Sequence, residues 1–188
     1  MPPSIATLLS VLAAEAPGEA IAVYRFPAIN MCRYKELINH AVNAGVRVMN
    51  ISMGSDNMND WACFATAAQN APSVLFVVSA GNNGRNIDEH PVYPAALPFD
   101  NLFVVSSSDH FGRPGAASNT GPQHVDIFVP AEQVSVTDHR GVRTTTGGTS
   151  YAAPRVAALA VRYLRVNPDA DTQQIISFLQ KRAISGQG

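Results

Sequence analysis

Charge is scarce in this sequence. Asp, Glu, Lys and Arg make up 14% of its 188 residues, and 13 Lys plus Arg stand against 14 Asp plus Glu, for a formal net charge of −1. No basic cluster stands out, which argues against nucleic acid or an anionic membrane as partner. Cysteine is rarer still. Cys32 and Cys63 lie far apart, fit no metal or redox spacing, and read as two small buried hydrophobes. No strand runs into a G-x-G-x-x-G or P-loop motif, so a nucleotide-binding α/β domain is not indicated. Internal repeats and low-complexity tracts are absent. The apolar stretch SIATLLSVLAAEA (4–16) is too short to span a bilayer. AEA resembles a small-residue cleavage site, but no Lys or Arg precedes the run, so it reads as a buried helix rather than a signal peptide. The compartment stays open.

Apolar residues, by contrast, make up 46% of the chain, which suits a buried parallel sheet better than a disordered or coiled-coil chain. Strand-like apolar runs alternate with helical patterns. Helices are expected at 4–14, 33–44 (stopped by Gly45), 59–70 (ended before Pro72), from Thr149 or Ser150 to about Val166, and from an Asp171 cap to about Ala183. Ile175, Ile176, Leu179 and Ile184 are spaced as the core face of the last one. Strands are expected at 20–26, 46–52, 74–80, 102–107 and 126–131, and a hairpin at 134–138 and 142–146 across His139–Gly141. Continuous apolar strands between helices mean a three-layer α/β/α fold with a mostly parallel sheet. Such sheets bind ligands at the carboxyl ends of their strands.

The residues at those ends are small, polar or glycine. The strand at 46–52 ends in Ser52-Met53-Gly54, the strand at 74–80 runs into Gly81-Asn82-Asn83-Gly84, and Gly147-Gly148 lead into a helix carrying Ser150. Three such turns on one edge are what backbone recognition of an extended ligand requires. Here the sequence resembles a known family. GGTSYAAPRVAALA (147–160) resembles the G-T-S-x-A-x-P nucleophile motif of the subtilisin-like serine proteases, VSAGNNG their oxyanion-asparagine segment, and VMNISMGS their substrate-backbone segment. The three occur in family order and at spacings close to the family's, and the likeness extends to about residue 184.

The resemblance implies a serine endopeptidase domain spanning 1–188 as one partial domain, with a peptide or protein substrate and no cofactor. Ser150 would be the nucleophile, at a helix N-terminus that favours developing negative charge. The Asn82 side-chain amide and the Ser150 N–H would form the oxyanion hole. Ser52, Met53 and Gly54 would pair with the substrate backbone, and Ser79, Ala80 and Gly81 would line the primary specificity pocket. Gly148 and Thr149 would complete the substrate-binding surface, with the glycine allowing close approach. Pro154 would be tolerated in the first helical turn. The family's insertion for a tight calcium site is missing between Ala14 and Pro17, so no metal is expected there.

The family's Asp and His are also missing from the sequence. Aligning SIATLLSVLAA with the helix that follows the catalytic His places Met1-Pro2-Pro3-Ser4 where H-G-T-x would stand, and no D-T-G or D-S-G occurs. His40, His90, His110, His124 and His139 lie on segments that do not supply the family's base. The family's Asp-bearing strand, which belongs between those matching 20–26 and 46–52, is likewise absent, as is its final strand. Two readings result: a peptidase half whose Asp and His come from another N-terminal segment, inactive alone, or a non-catalytic descendant that binds peptides or has no task.

Overall fold

The computed structural model describes residues 4–24 and 31–185, with side chains through Arg182. The helices are α1 (Ile5–Glu15), α2 (Arg33–Asn43), α3 (Ala62–Gln69, entered through a 3-10 turn at Met58–Trp61), α4 (Thr149–Val166) and α5 (Thr172–Ser185). The strands are β1 (Val48–Ile51), β2 (Leu75–Ser79), β3 (Leu102–Ser108), β4 (Ile127–Pro130), β5 (Val134–Thr137) and β6 (Arg143–Thr146).

β1 to β4 form a parallel sheet in the order β1-β2-β3-β4, and β5 and β6 form the expected antiparallel hairpin. Every residue of β2 and β3 is buried, because the sheet is covered on both faces. Phe76, Val78 and Val104 face a core with Ile38 of α2 and Phe64 and Ala68 of α3. Leu75, Val77, Phe103 and Val105 face the opposite one, with Ala153, Val156 and Ala160 of α4 and Ile175 and Leu179 of α5. The alternation follows from the period of two along a strand. The fold is therefore the three-layer α/β/α arrangement.

Local signals explain the element ends. Gly45, at φ +79°, closes α2 in a Schellman motif, with Gly45 N–H bonded to Val42 O and Val46 N–H to Ala41 O. Asp171 and Gln174 make a reciprocal capping box at α5, each side chain accepting from the other's amide at 2.8 Å. Ser4 caps α1 by accepting from the Thr7 amide.

Three expectations need correction. Residues 20–24 of the predicted strand 20–26 form no strand, and the rest of it lies outside the described residues. Ile21 and Val23 are 39% and 50% exposed. The preceding turn is fastened to α4 instead, Arg162 donating to Glu15 O and Arg165 to Pro17 O. Among the described residues β1 is thus an edge strand. Secondly, Cys32 and Cys63 are joined in a disulfide rather than lying as two separate buried apolar side chains. Helix packing brings the start of α2 against α3, with Cα atoms 4.9 Å apart. Thirdly, Pro154 is the sixth residue of α4, in its second turn.

Candidate active site

The turn after β1, the turn after β2 and the start of α4 meet at the carboxyl ends of the strands. Thr149 joins two of them. It is fully buried; its amide and its hydroxyl both donate to Asn82 Oδ1, at 2.9 and 3.2 Å. The same hydroxyl accepts from the Gly81 amide at 3.2 Å. With Oδ1 fixed by two donors, the Asn82 amide nitrogen is left as a donor beside the helix start. Asn82 itself is exposed.

Glycine is required on the approach. Gly148 has φ +114°, and a Cβ there would lie 2.9 Å from Asn82 Oδ1. At Gly147 a Cβ would come within 2.3 Å of the Glu132 carbonyl oxygen. The Gly148 amide donates to Ala131 O, fastening the turn to the end of β4. Ser150 comes next as the second helical residue, 8% exposed, with its N–H among the first four of α4 that lack an intrahelical partner. Among the described residues no side chain is hydrogen-bonded to its hydroxyl.

The third turn reaches Ser150 through Ser52, whose hydroxyl donates to the Ser150 carbonyl at 2.9 Å. Met53 is 40% exposed and accepts a hydrogen bond from Tyr34 Oη on its sulfur. Burial pushes the Tyr34 phenol well above its ordinary range, so it serves as a donor at all ordinary pH. Gly54 lies against Tyr93, whose carbonyl oxygen would be 2.8 Å from an added Cβ. Ser55 pairs with Tyr93 as an antiparallel bridge and accepts from Trp61 Nε1 at 3.0 Å. The 52–55 segment therefore rests on the stacked rings of Tyr34 and Trp61.

Ser79 and Ala80 are buried, Gly81 is half-buried at φ +101°. Asn119, fully buried, clamps the turn that these residues enter. Its Nδ2 donates to Ala80 O, its Oδ1 accepts from the Asn83 and Arg85 amides, and its own amide donates to Gly81 O. No sequence motif singles out Asn119; the available signal was the turn chemistry of SNTG around it.

None of the five histidines is bonded to Ser150. The His40 ring packs against Tyr24, His110 against Phe111, and His139 lies in the β5–β6 turn. His124 Nδ1 lies 2.6 Å from Asp88 Oδ1. Burial pushes the Asp88 carboxyl up, but the Gln123 and His124 amides and the His124 ring outweigh this and hold it below its ordinary value. Among the described residues no three His, Cys, Asp or Glu converge as metal ligands, and no helix is long and apolar enough to cross a membrane.

The arrangement supplies a serine hydroxyl at a helix N-terminus, unbonded among the described residues, two N–H donors beside it, and a neighbouring extended segment. Comparison with known proteins identifies the family. The sequence profile of the subtilase family matches residues 10–187. Subtilisin-like protease 4 of Arthroderma benhamiae is 34% identical over 142 residues, covering 74% of this chain and 33% of that protein. The thermostable alkaline protease of Halalkalibacterium halodurans is 29% identical over 138 residues, covering 73% and 37%. The chain thus spans about a third of the length of these curated relatives. The crystal structure of a cold-adapted subtilisin-like serine proteinase superposes with a TM-score of 0.67 at 27% identity, over 79% of this chain and 53% of that one. The chain belongs to the subtilase family of serine proteases.

Proposed function

We propose that this chain carries the nucleophile half of a serine endopeptidase site. Ser150 Oγ attacks the carbonyl carbon of a peptide bond, its proton passes to a base, and the amide nitrogen leaves with a proton returned from that base. The oxyanion is received by the Asn82 amide nitrogen and the Ser150 N–H. The peptide backbone lies along Ser52–Gly54, and its side chain enters between that segment and Ser79–Gly81. The observation that carries this reading is Asn82 Oδ1 fixed by Thr149, which aims the amide before any substrate arrives. In subtilisin, losing one such donor lowers turnover by about 10²–10³.

The base comes from a segment that bears a His and an Asp and joins the β1 edge of the sheet. An unassisted serine hydroxyl is a poor nucleophile at neutral pH, and in subtilisin removing the histidine costs on the order of 10⁶ in turnover. The chain alone is therefore inactive, and without such a segment its cleft holds peptides uncut.

A fluorophosphonate probe tests this on the purified 188-residue chain, alone and mixed with a segment bearing the His and Asp. Labelling that appears only with the segment, and disappears in Ser150→Ala, supports it. Rapid labelling of the chain alone refutes the need for an added base; failure to label with the segment refutes complementation.

A further inference from the structure

The interior of α4 holds a proline, and the effect of that proline falls on the serine. In an α-helix the amide of residue 154 would donate to the carbonyl of residue 150. Pro154 has no N–H, so the Ser150 carbonyl loses its intrahelical partner. That carbonyl belongs to a residue only 8% exposed, and an unpaired buried carbonyl is costly.

We propose that Ser52 is a positioning residue whose hydroxyl replaces the missing Pro154 amide and so fixes the backbone of Ser150. The hydroxyl donates to Ser150 O at 2.9 Å from 98 residues away. Its direction is set from behind, because Asn50 Nδ2 donates to Ser52 Oγ at 3.1 Å. With its oxygen accepting from Asn50, the Ser52 proton is directed to Ser150. The alternative bond, from Ser52 to Asn50 Oδ1, is longer at 3.4 Å. The relay runs from the end of β1 through the turn after it into the first turn of α4. A proline in this place moves the holding of the helix start from the helix itself to the segment proposed to bind the substrate backbone. Nucleophile and substrate segment are thereby kept in one register, a form of preorganisation. The kinetic consequence rests on the reading of Ser150 as nucleophile; the replacement of the amide does not.

The test is a double-mutant cycle on the full chain with Ser52→Ala, Pro154→Ala and the pair, alongside Ser52→Thr. The first readout is hydrogen exchange at the Ala152 and Ala153 amides, which needs no activity. Ser52→Ala is expected to speed exchange about 2- to 10-fold, the span of one net hydrogen bond. In the Pro154→Ala background the restored amide should remove most of that effect, and Ser52→Thr should preserve slow exchange. Equal effects of Ser52→Ala in both backgrounds would mean that the hydroxyl merely fills space, and would overturn the proposal. The second readout is the fluorophosphonate labelling rate with the base-bearing segment present. It should fall in Ser52→Ala and recover in the double variant; a rate indifferent to Ser52 while exchange responds would refute the positioning role. If no variant labels at all, complementation by the segment fails, and the exchange cycle still decides whether Ser52 replaces the amide.

Discussion

Breaking the Cys32–Cys63 disulfide should lower stability by an amount set mainly by the loop it closes. The two cysteines are 31 residues apart, and the chain-entropy relation gives about 3.7 kcal/mol at 25 °C for a loop of that length. For a chain of this size about 1 kcal/mol moves the midpoint by 2–4 °C, so Cys32→Ser with Cys63→Ser should melt about 7–15 °C lower. The bond joins α2 to α3 beside Tyr34, Trp61 and Phe64, whose rings lie 5.3 to 5.7 Å apart in successive contact. Trp61 is the chain's single tryptophan, so its fluorescence reports unfolding from within the affected region. Thermal melts of the wild type with and without reductant, and of the double variant, make the comparison. Two free thiols titrated in the native oxidised chain, or a midpoint unmoved by reductant, would refute the reasoning.

Gly148→Ala should leave a folded protein with labelling reduced about 10²–10³-fold in the complemented chain, since its Cβ would displace Asn82 from its place. Circular dichroism and the labelling rate check both halves of that statement. Thr149→Val should also slow labelling, about 10-fold or more, by removing the hydroxyl that donates to Asn82 and leaving the Gly81 amide unpaired. Phe64→Ala, at a fully buried ring that touches Tyr34, Trp61 and Phe76, should cost about 3–5 kcal/mol in urea denaturation. Asp138 supplies the pH dependence: the Val142 amide above all, with the Arg140 amide and side chain, holds its carboxyl below the ordinary value against a smaller push from burial. The folded pKa is depressed, so the stabilisation is present above the unfolded value of about 3.9. It is lost as pH falls from there through the folded pKa. Exchange at the Val142 amide should accelerate over that window, after allowing for intrinsic rates, and Asp138→Asn should abolish the transition.

Much of the fold was legible because local signals and burial agree. The runs at 74–80 and 102–107 are apolar at every face, and only a sheet covered on both sides buries them. Asp171 and Gly45 carry their helix ends in their own chemistry. The run at 20–26 has the same apolar character, yet residues 20–24 pair with no strand among the described residues, because periodicity records a propensity and not a partner. The disulfide escaped for the same reason: 31 residues of spacing say nothing of how α2 and α3 pack. At the candidate site the serine, the asparagine and the glycines were readable as motifs. Asn119 and the Ser52 bond to Ser150 were not, since each exists only once distant turns have come together.

Those distances also bear on how the protein reaches its native state. The contacts that assemble the cleft join residues 67 and 98 positions apart, while α1 meets the hairpin and α4 across 127 and 144. Each requires closing a long loop before any contact compensates for the lost chain entropy. A parallel sheet with such separations folds slowly, and its cleft is completed only after β1, β2 and α4 have docked. No short peptide cut from this chain would carry the site, and a nascent chain would lack it until Ser150 had emerged and found Ser52.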